Sequence, residues 1–118
     1  MRHGEPFHGE VVTGDASGGI AFALYKAGTV TPYVLKANEF ISITDILLSM
    51  AAAGTYSIVA DTATPGQYIC TGLANALAKG EVTWHATVPL VCPQGITPVL
   101  LAAIGNVACI ISGYITEV

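Results

Sequence analysis

The sequence predicts an all-β fold, a sandwich or barrel of about eight strands in one domain. The length of 118 residues allows a single hydrophobic core. Short apolar segments recur at regular intervals, and turn-forming Gly, Pro and Asn residues separate them. The two segments that resemble helices locally are no longer than about ten residues, which is marginal for a helix without tertiary support.

The N-terminal segment differs from the rest of the chain. It is rich in Gly, His and Glu and includes the turn-prone stretch TGDASGG at 13–19. We expect residues 1–19 to form a flexible N-terminal arm and residues 20–118 to form the sandwich. The predicted strands span 20–25, 30–36, 39–49, 56–61, 68–78, 81–91, 96–104 and 107–118.

Two of these segments compete with a helical interpretation. Segment 44–53 begins with a threonine suited to an N-cap, contains an alanine run and is followed by a glycine that would end a helix. Segment 97–104 begins with Thr-Pro, a pair suited to the N-cap and the first helical position. We favour strands at both places. Gly105-Asn106 also suits a two-residue hairpin turn, which would pair the last two strands.

The last strands show which faces are expected to be covered. Strand 81–91 alternates between two faces, with Trp84, Ala86, Val88 and Leu90 on one and His85, Thr87 and Pro89 on the other. The final strand is apolar on both faces, with Val107, Cys109 and Ile111 on one and Ala108 and Ile110 on the other. A strand covered on both sides needs a second layer or a neighbouring subunit.

Composition indicates an obligate oligomer. Charged residues make up 10% of the chain, against a typical value of about 25%, and apolar residues make up 53%. So few charges leave much of a small protein's surface apolar, and such surface is typical of permanent subunit interfaces. The net charge of −4 and the scattered basic residues argue against a nucleic-acid partner.

The sequence also bears on compartment. The N-terminal stretch MRHGEPFHGE lacks the apolar run of a secretory signal, so we expect synthesis in a cytoplasm. The apolar tail from Ile96 to Ile111 is shorter than the roughly 20 residues of a membrane span and is interrupted by Pro and Gly, so we expect no membrane partner. Cys70, Cys92 and Cys109 are odd in number and are expected to be reduced, buried thiols.

The last third of the chain contains an ordered set of short motifs. They are Pro89-Leu90 at a strand end, the turn Pro93-Gln94-Gly95, the apolar strand Val99 to Ile104, the turn Gly105-Asn106, and Ile110-Ile111-Ser112-Gly113-Tyr114 in the last strand. Together with EFISITDILLS and TYSIVAD upstream, this order resembles small trimeric jelly-roll proteins of tailed phages. The resemblance covers roughly residues 38–118.

The resemblance implies a tumour-necrosis-factor-like jelly roll that assembles as a homotrimer. Proteins of this kind include capsid decoration, or cement, proteins, which bind the outside of a phage head and stabilise contacts between capsid subunits. We therefore expect a structural virion protein on the outer capsid surface, made in the host cytoplasm, with the major capsid protein as its partner and with no enzymatic activity or cofactor. Similar jelly rolls form tail-fibre and spike tips, so a receptor-binding module is the alternative.

Candidate residues follow for two kinds of contact. Three arms on one trimer would bind three sites, so weak contacts would reinforce one another, with Phe7 as the anchor. The expected capsid contacts in the arm are Arg2, His3, Glu5, Phe7 and His8. The expected trimer contacts are Tyr56, Trp84, Val88, Leu90, Ile110 and Tyr114. Aromatic side chains are enriched at such contacts, although each could equally fill the core of its own subunit.

Metal-binding interpretations are weak. His85 with Cys92 and Cys109 matches no ligand spacing, and buried cysteines usually serve as small apolar side chains. His3 and His8 could bind a metal or respond to pH, but a solvated or partner-bound arm is the simpler interpretation.

Catalytic interpretations are also weak. Asp45, Asp61 and Glu81 could form a carboxylate pair, but nothing in the sequence brings them together. Ser17 lacks the strand–turn–helix context of an activated nucleophile. The sequence therefore predicts no catalytic residue and no metal site.

Overall fold

The computed structural model describes residues 4–13, 19–50, 55–59, 68–73, 80–102 and 107–118. In these residues the chain is all β, as predicted, and contains no helix. The described strands are β1 (Glu5–Thr13), β2 (Ile20–Ala21), β3 (Ala23–Lys26), β4 (Glu39–Met50), β5 (Thr55–Val59), β6 (Tyr68–Leu73), β7 (Gly80–Val91), β8 (Val99–Ala102) and β9 (Val107–Glu117).

The strands form two antiparallel sheets with the order of a jelly roll. The five-stranded sheet has the order β3-β1-β9-β4-β7, and the four-stranded sheet has the order β2-β8-β5-β6. The pairings are nested, because β1 pairs with β9, β2 with β8, β4 with β7 and β5 with β6. This nesting is that of a long hairpin rolled into two layers. The predicted all-β, jelly-roll-like sandwich is confirmed.

The predicted flexible arm is wrong for residues 5–13, which form β1. This strand lies inside the five-stranded sheet, between β3 and β9, and all nine of its residues pair with β9. Phe7, Gly9 and Val11 are buried, whereas His8 and Glu10 between them are more exposed. That period of two is what a strand with one buried face requires. Residues 1–3 and 14–18 of the predicted arm lie outside the described residues.

β4 confirms the strand interpretation of the first disputed segment as far as the strand extends. Its buried side chains are Ile41 and Ile43, and then Ile46 and Leu48, so the alternation shifts by one residue along the strand. The pairing of β4 with β9 shifts register at the same place, around Thr44. A β-bulge inserts one extra residue, which allows both halves of β4 to bury their apolar side chains on the same face.

β8 is also a strand, as predicted, but the predicted hairpin between β8 and β9 is wrong. β8 pairs with β2 and β5 in one sheet, whereas β9 pairs with β1 and β4 in the other. The chain crosses between the two layers after β8, so the local turn preference of Gly105-Asn106 does not determine which strands pair. Residues 51–54 and 103–106 lie outside the described residues.

A second irregularity lies in β7, at the edge of the five-stranded sheet. Its register with β4 places four residues, 86–89, opposite one residue of β4. Trp84 and Leu90, on either side of them, pack against the core as the predicted alternation requires. Val88 does not, and its side chain is 77% exposed. Pro89 has no amide hydrogen to donate, which suits a position outside the regular ladder.

The core lies between the two sheets. One of the two predicted apolar faces of β9 is fully buried, with Cys109 and Ile111 inaccessible to solvent, whereas Ile110 on the other face is 43% exposed. The rest of the core includes Phe22, between β2 and β3, and the strand residues Phe7, Val11, Leu24, Ile41, Ile43, Ile46, Leu48, Tyr56, Ile58 and Leu100. The two cysteines with described side chains, Cys92 and Cys109, are buried and reduced, as predicted.

The loop between β3 and β4 closes one end of the sandwich through a buried carboxylate. Glu39 accepts hydrogen bonds from the Tyr33 hydroxyl at 2.5 Å and from the Lys36 backbone amide at 2.9 Å. The Lys26 ammonium lies 4.2 Å from the centre of the Tyr33 ring and 3.2 Å from the Glu5 carboxylate. Burial opposes the charge on Glu39, but the hydrogen bonds from Tyr33 and Lys36 outweigh it and hold the pKa of Glu39 below its ordinary value.

Candidate functional site

The candidate site is the outer face of the five-stranded sheet, the side that points away from the core. β9 runs through the middle of this sheet and alternates between buried and more exposed residues along its length. The outward residues of β9 are Ala108, Ile110, Ser112, Tyr114 and Thr116. We use the name outer face for these residues together with the outward residues of β3, β1, β4 and β7.

An apolar patch occupies the centre of the outer face. Leu47 of β4 and Ile110 of β9 lie directly opposite each other across the two middle strands. Their side chains are 52% and 43% exposed, and Tyr114, four residues further along β9, is 47% exposed. Leu47 and Ile110 form a small apolar patch that water solvates poorly, and Ser112 separates this patch from Tyr114.

A row of polar side chains crosses the outer face between the Leu47–Ile110 pair and Tyr114. Cross-strand pairing places Tyr25 opposite His8, His8 opposite Ser112, Ser112 opposite Asp45, and Asp45 opposite His85. The rings of His8 and Tyr25 stack with their centroids 5.1 Å apart. The polar row thus extends over all five strands of the sheet.

Asp45 is the acceptor at the β7 end of the polar row. One of its oxygens lies 2.5 Å from His85 Nδ1, and the other accepts a hydrogen bond of 2.8 Å from the Thr44 hydroxyl. The hydrogen bond with His85, followed by that from Thr44, lowers the pKa of Asp45, so the side chain is a carboxylate at neutral pH. The bulge in β4 brings Thr44 and Asp45 side by side, and therefore helps to build this arrangement.

The predicted trimer contacts divide between the core and the surface. Tyr56 is buried in its own subunit, with 7% of its area exposed, so its assignment to a subunit contact is corrected. Trp84 and Leu90 are partly buried and pack against the core of their own subunit. Ile110 and Tyr114 lie on the outer face, and exposed Val88 lies in the irregular part of β7. Those three remain candidates for a contact with another chain.

The three described capsid contacts predicted in the arm, Glu5, Phe7 and His8, lie in strand β1. Phe7 is 4% exposed and belongs to the core, so its assignment as an anchor is corrected. His8 stacks on a neighbouring strand, and Glu5 forms a salt bridge with Lys26. Arg2 and His3 lie outside the described residues.

The residues considered for chemistry are not brought together. His85 is exposed and paired with Asp45, whereas burial raises the pKa of the Cys92 thiol to about 12, which keeps it protonated and a poor metal ligand. Within the described part of the chain, no group of three or more His, Cys, Asp or Glu side chains could hold a metal ion. Asp61 and Ser17 lie outside that part.

Sequence reasoning missed two features of the outer face. Leu47 was not recognised as surface-exposed, and Asp45 and His85 were not recognised as partners. The apolar pattern of the sequence shifts by one residue between Ile43 and Ile46, which indicates a bulge. A bulge at this place puts Asp45 and Leu47 on the outer face. The position of His85 opposite Asp45 depends on the pairing of β4 with β7, which a local pattern does not reveal.

No described helix is long and apolar enough to cross a membrane. Comparisons of the chain with protein-family models, with curated proteins and with solved structures found no significant match.

Proposed function

We propose that this chain is a structural virion protein, a capsid decoration or cement protein that binds the outside of a phage head as a homotrimer. The observation that carries the proposal is the apolar patch on the outer face of a jelly-roll sandwich. The resemblance of residues 38–118 to trimeric phage jelly rolls supplies the biological setting. In this role the protein has no catalytic function and stabilises contacts between neighbouring capsid subunits.

The trimer is proposed to form through the outer face. Full burial of a Leu or Ile side chain contributes about 1.5–3 kcal/mol, so covering the half-exposed side chains of Leu47 and Ile110 contributes roughly 1 kcal/mol each. Tyr114 adds an aromatic side chain of the type enriched at protein interfaces. With only 10% charged residues in the chain, few charges have to be desolvated when copies meet.

The capsid contact is assigned to the loop between β3 and β4. Val30 and Val34 in this loop are 93% and 84% exposed, more than any other described large apolar side chain. The loop is held in place by the hydrogen bonds of Tyr33 and Lys36 with Glu39 and by the pairing of Tyr33 with Leu24. A pre-ordered loop loses little conformational entropy on binding, and three copies in one trimer reinforce each other.

The experiment uses two matched double variants, each replacing two exposed apolar residues by serine. Leu47→Ser with Ile110→Ser is expected to convert the trimer into a monomer, as measured by light scattering coupled to size-exclusion chromatography. Val30→Ser with Val34→Ser is expected to leave the trimer intact but to abolish co-sedimentation with phage heads that lack this protein.

The outcomes separate the parts of the proposal. A monomeric wild-type chain would exclude the trimer, and a trimeric Leu47/Ile110 variant would exclude the outer face as the interface. Full head binding by the Val30/Val34 variant would exclude the loop. The number of copies on purified particles distinguishes a cement protein, present in many copies over the head, from a tail-fibre or spike tip, present in a few copies at the tail.

A further inference from the structure

The turn between β7 and β8 contacts the loop between β3 and β4 at the place where that loop enters β4. The side-chain amide of Gln94 donates a hydrogen bond of 3.2 Å to the carbonyl oxygen of Ala37. The backbone amide of Gly95 donates a hydrogen bond of 2.7 Å to the carbonyl oxygen of Glu39. A turn that is distant in the sequence therefore fixes two backbone carbonyl groups at the end of the loop.

The carbonyl group between these two is also fixed from outside the loop. The Val118 amide donates a hydrogen bond of 2.8 Å to the carbonyl oxygen of Asn38. Three successive carbonyl groups, those of residues 37–39, thus accept hydrogen bonds from the β7–β8 turn and from Val118. We use the name loop base for residues 37–39.

Gly95 allows the β7–β8 turn to approach the loop base closely. Its φ of 74° lies in the left-handed region, which side chains disfavour. A Cβ atom at this position would lie 3.3 Å from both the Cα atom and the carbonyl oxygen of Ala37. Both atoms belong to the backbone, so a side chain here would press on the loop base as well as strain the turn.

The loop base helps to determine where Val34 is presented to solvent. Tyr33 packs against the core and Leu35 is buried, so Val34 between them points outward and is 84% exposed. On the β3 side, the Tyr33 amide donates a hydrogen bond of 2.7 Å to the carbonyl oxygen of Leu24. On the β4 side, the loop base begins three residues after Val34. The chain around Val34 is therefore held by β3 on one side and by the β7–β8 turn on the other.

We propose that Gln94 and Gly95 are positioning residues for the capsid contact, because they fix the loop base and with it the exposed Val34. This inference rests on the proposed assignment of the capsid contact to the loop between β3 and β4. Neither residue is required to touch the capsid. Both act by limiting the conformations of the free loop, since a loop that is already in its bound conformation loses less entropy on binding.

Two variants and a matched control test this role in the full-length protein. Gln94→Met has an uncharged side chain of similar length that cannot donate a hydrogen bond. Gly95→Ala places a Cβ atom against the loop base at a positive φ. Gly19→Ala is the control for backbone strain alone, because Gly19 also has a positive φ, of 87°, but precedes β2 in the other sheet.

Amide hydrogen exchange followed by NMR measures the order of the loop directly. The amides of Lys36 and Glu39 report on it, because both donate hydrogen bonds close to the loop base. We expect them to exchange about two- to tenfold faster in Gln94→Met and Gly95→Ala, the range that follows from the loss of one hydrogen bond. Gly19→Ala should leave these rates unchanged, because loop amides exchange through local opening of the structure.

Co-sedimentation with phage heads that lack this protein measures the consequence for binding. Because three loops of one trimer bind together, a loss of about threefold per loop amounts to as much as about thirtyfold for the trimer. We expect a loss of this order in Gln94→Met and Gly95→Ala, and wild-type binding in Gly19→Ala. Light scattering is expected to show that all three variants remain trimers.

The outcomes separate this inference from the proposed function. Unchanged exchange of the loop amides, or wild-type head binding by a variant whose loop amides exchange faster, would overturn the positioning role alone. An equal loss of binding in Gly19→Ala would also contradict it, because strain anywhere in the fold would then be sufficient. Full head binding by the variant with Val30→Ser and Val34→Ser would remove the loop as the capsid contact and this inference with it.

Discussion

Substitution of Gly113 by alanine tests how closely the two central strands approach each other. A Cβ atom at this position would lie 1.8 Å from the carbonyl oxygen of Ser42 and 2.9 Å from its carbonyl carbon. Both atoms belong to the backbone of β4, and β9 is itself fixed between β1 and β4. The clash therefore cannot be relieved by rotating a side chain, and one of the central strands has to move.

The expected cost is large for the addition of one methyl group. Overpacking a core typically costs about 1–3 kcal/mol, and a backbone clash of this depth places Gly113→Ala at or above the upper end, at roughly 3–5 kcal/mol. For a domain of this size, 1 kcal/mol corresponds to about 3–6 °C in the melting temperature, so we expect Tm to fall by roughly 10–30 °C.

Gly9 provides a matched control on the neighbouring strand. A Cβ atom there would lie 3.0 Å from a side-chain atom of Ile111 and 3.1 Å from one of Leu24, and both side chains can adjust. Urea unfolding at one fixed protein concentration, followed by the fluorescence of the single tryptophan, should show Gly9→Ala to be much less destabilising than Gly113→Ala. If the two variants lost similar free energy of unfolding, the close approach at Gly113 would not be a rigid feature of the sheet.

Two further predictions concern buried groups. Glu39→Gln removes a charged acceptor and is expected to lower the free energy of unfolding by about 1–2 kcal/mol at pH 7. Because the pKa of Glu39 is lowered in the fold, its charge stabilises the protein above the unfolded-state pKa of about 4.3, and this contribution is lost as pH falls through the folded-state pKa. Unfolding curves of wild type and Glu39→Gln should therefore converge as pH falls through the lowered folded-state pKa of Glu39, and a constant difference would contradict the argument. Cys92, with its pKa raised by burial to about 12, should resist iodoacetamide at pH 8 in the native state and react after unfolding in urea, as followed by peptide mass spectrometry; rapid native labelling would contradict its burial.

The sequence predicts the strands better than it predicts their partners. Residues 39–49, 81–91 and 107–118 were identified as strands from apolar periodicity and turn residues, and the turn at Gly95 appears with the positive φ of 74° that its glycine permits. These are local features, decided by residues close in the chain. Pairing is not local, and this is why the β8–β9 hairpin was wrong although Gly105-Asn106 has suitable turn chemistry.

The N-terminal segment shows how composition can mislead. Gly, His and Glu suggested a flexible arm, yet Phe7 and Val11 with Gly9 between them already have the period of a half-buried strand. Gly9 occupies a buried position of this pattern but has no apolar side chain, so the period is not apparent in the sequence. The absence of a side chain at Gly9 leaves room for Ile111 and Leu24, which lie close to it. The outer face was also only partly predictable, because the assignment of Leu47 to the surface depends on the bulge in β4.

The position of β1 and the shape of the sheet edges explain why association is expected through the outer face. β1 covers β9, so β9 is not an edge strand despite its apolar sequence. One edge strand, β3, is only four residues long, and the other, β7, is interrupted by residues 86–89, which include a proline. Short or irregular edges hinder strand-to-strand pairing between chains. The proposed association, by packing of Leu47, Ile110 and Tyr114 against another copy, does not require a regular edge. It predicts that variants which straighten β7 would gain edge-to-edge aggregation and would not stabilise the proposed trimer.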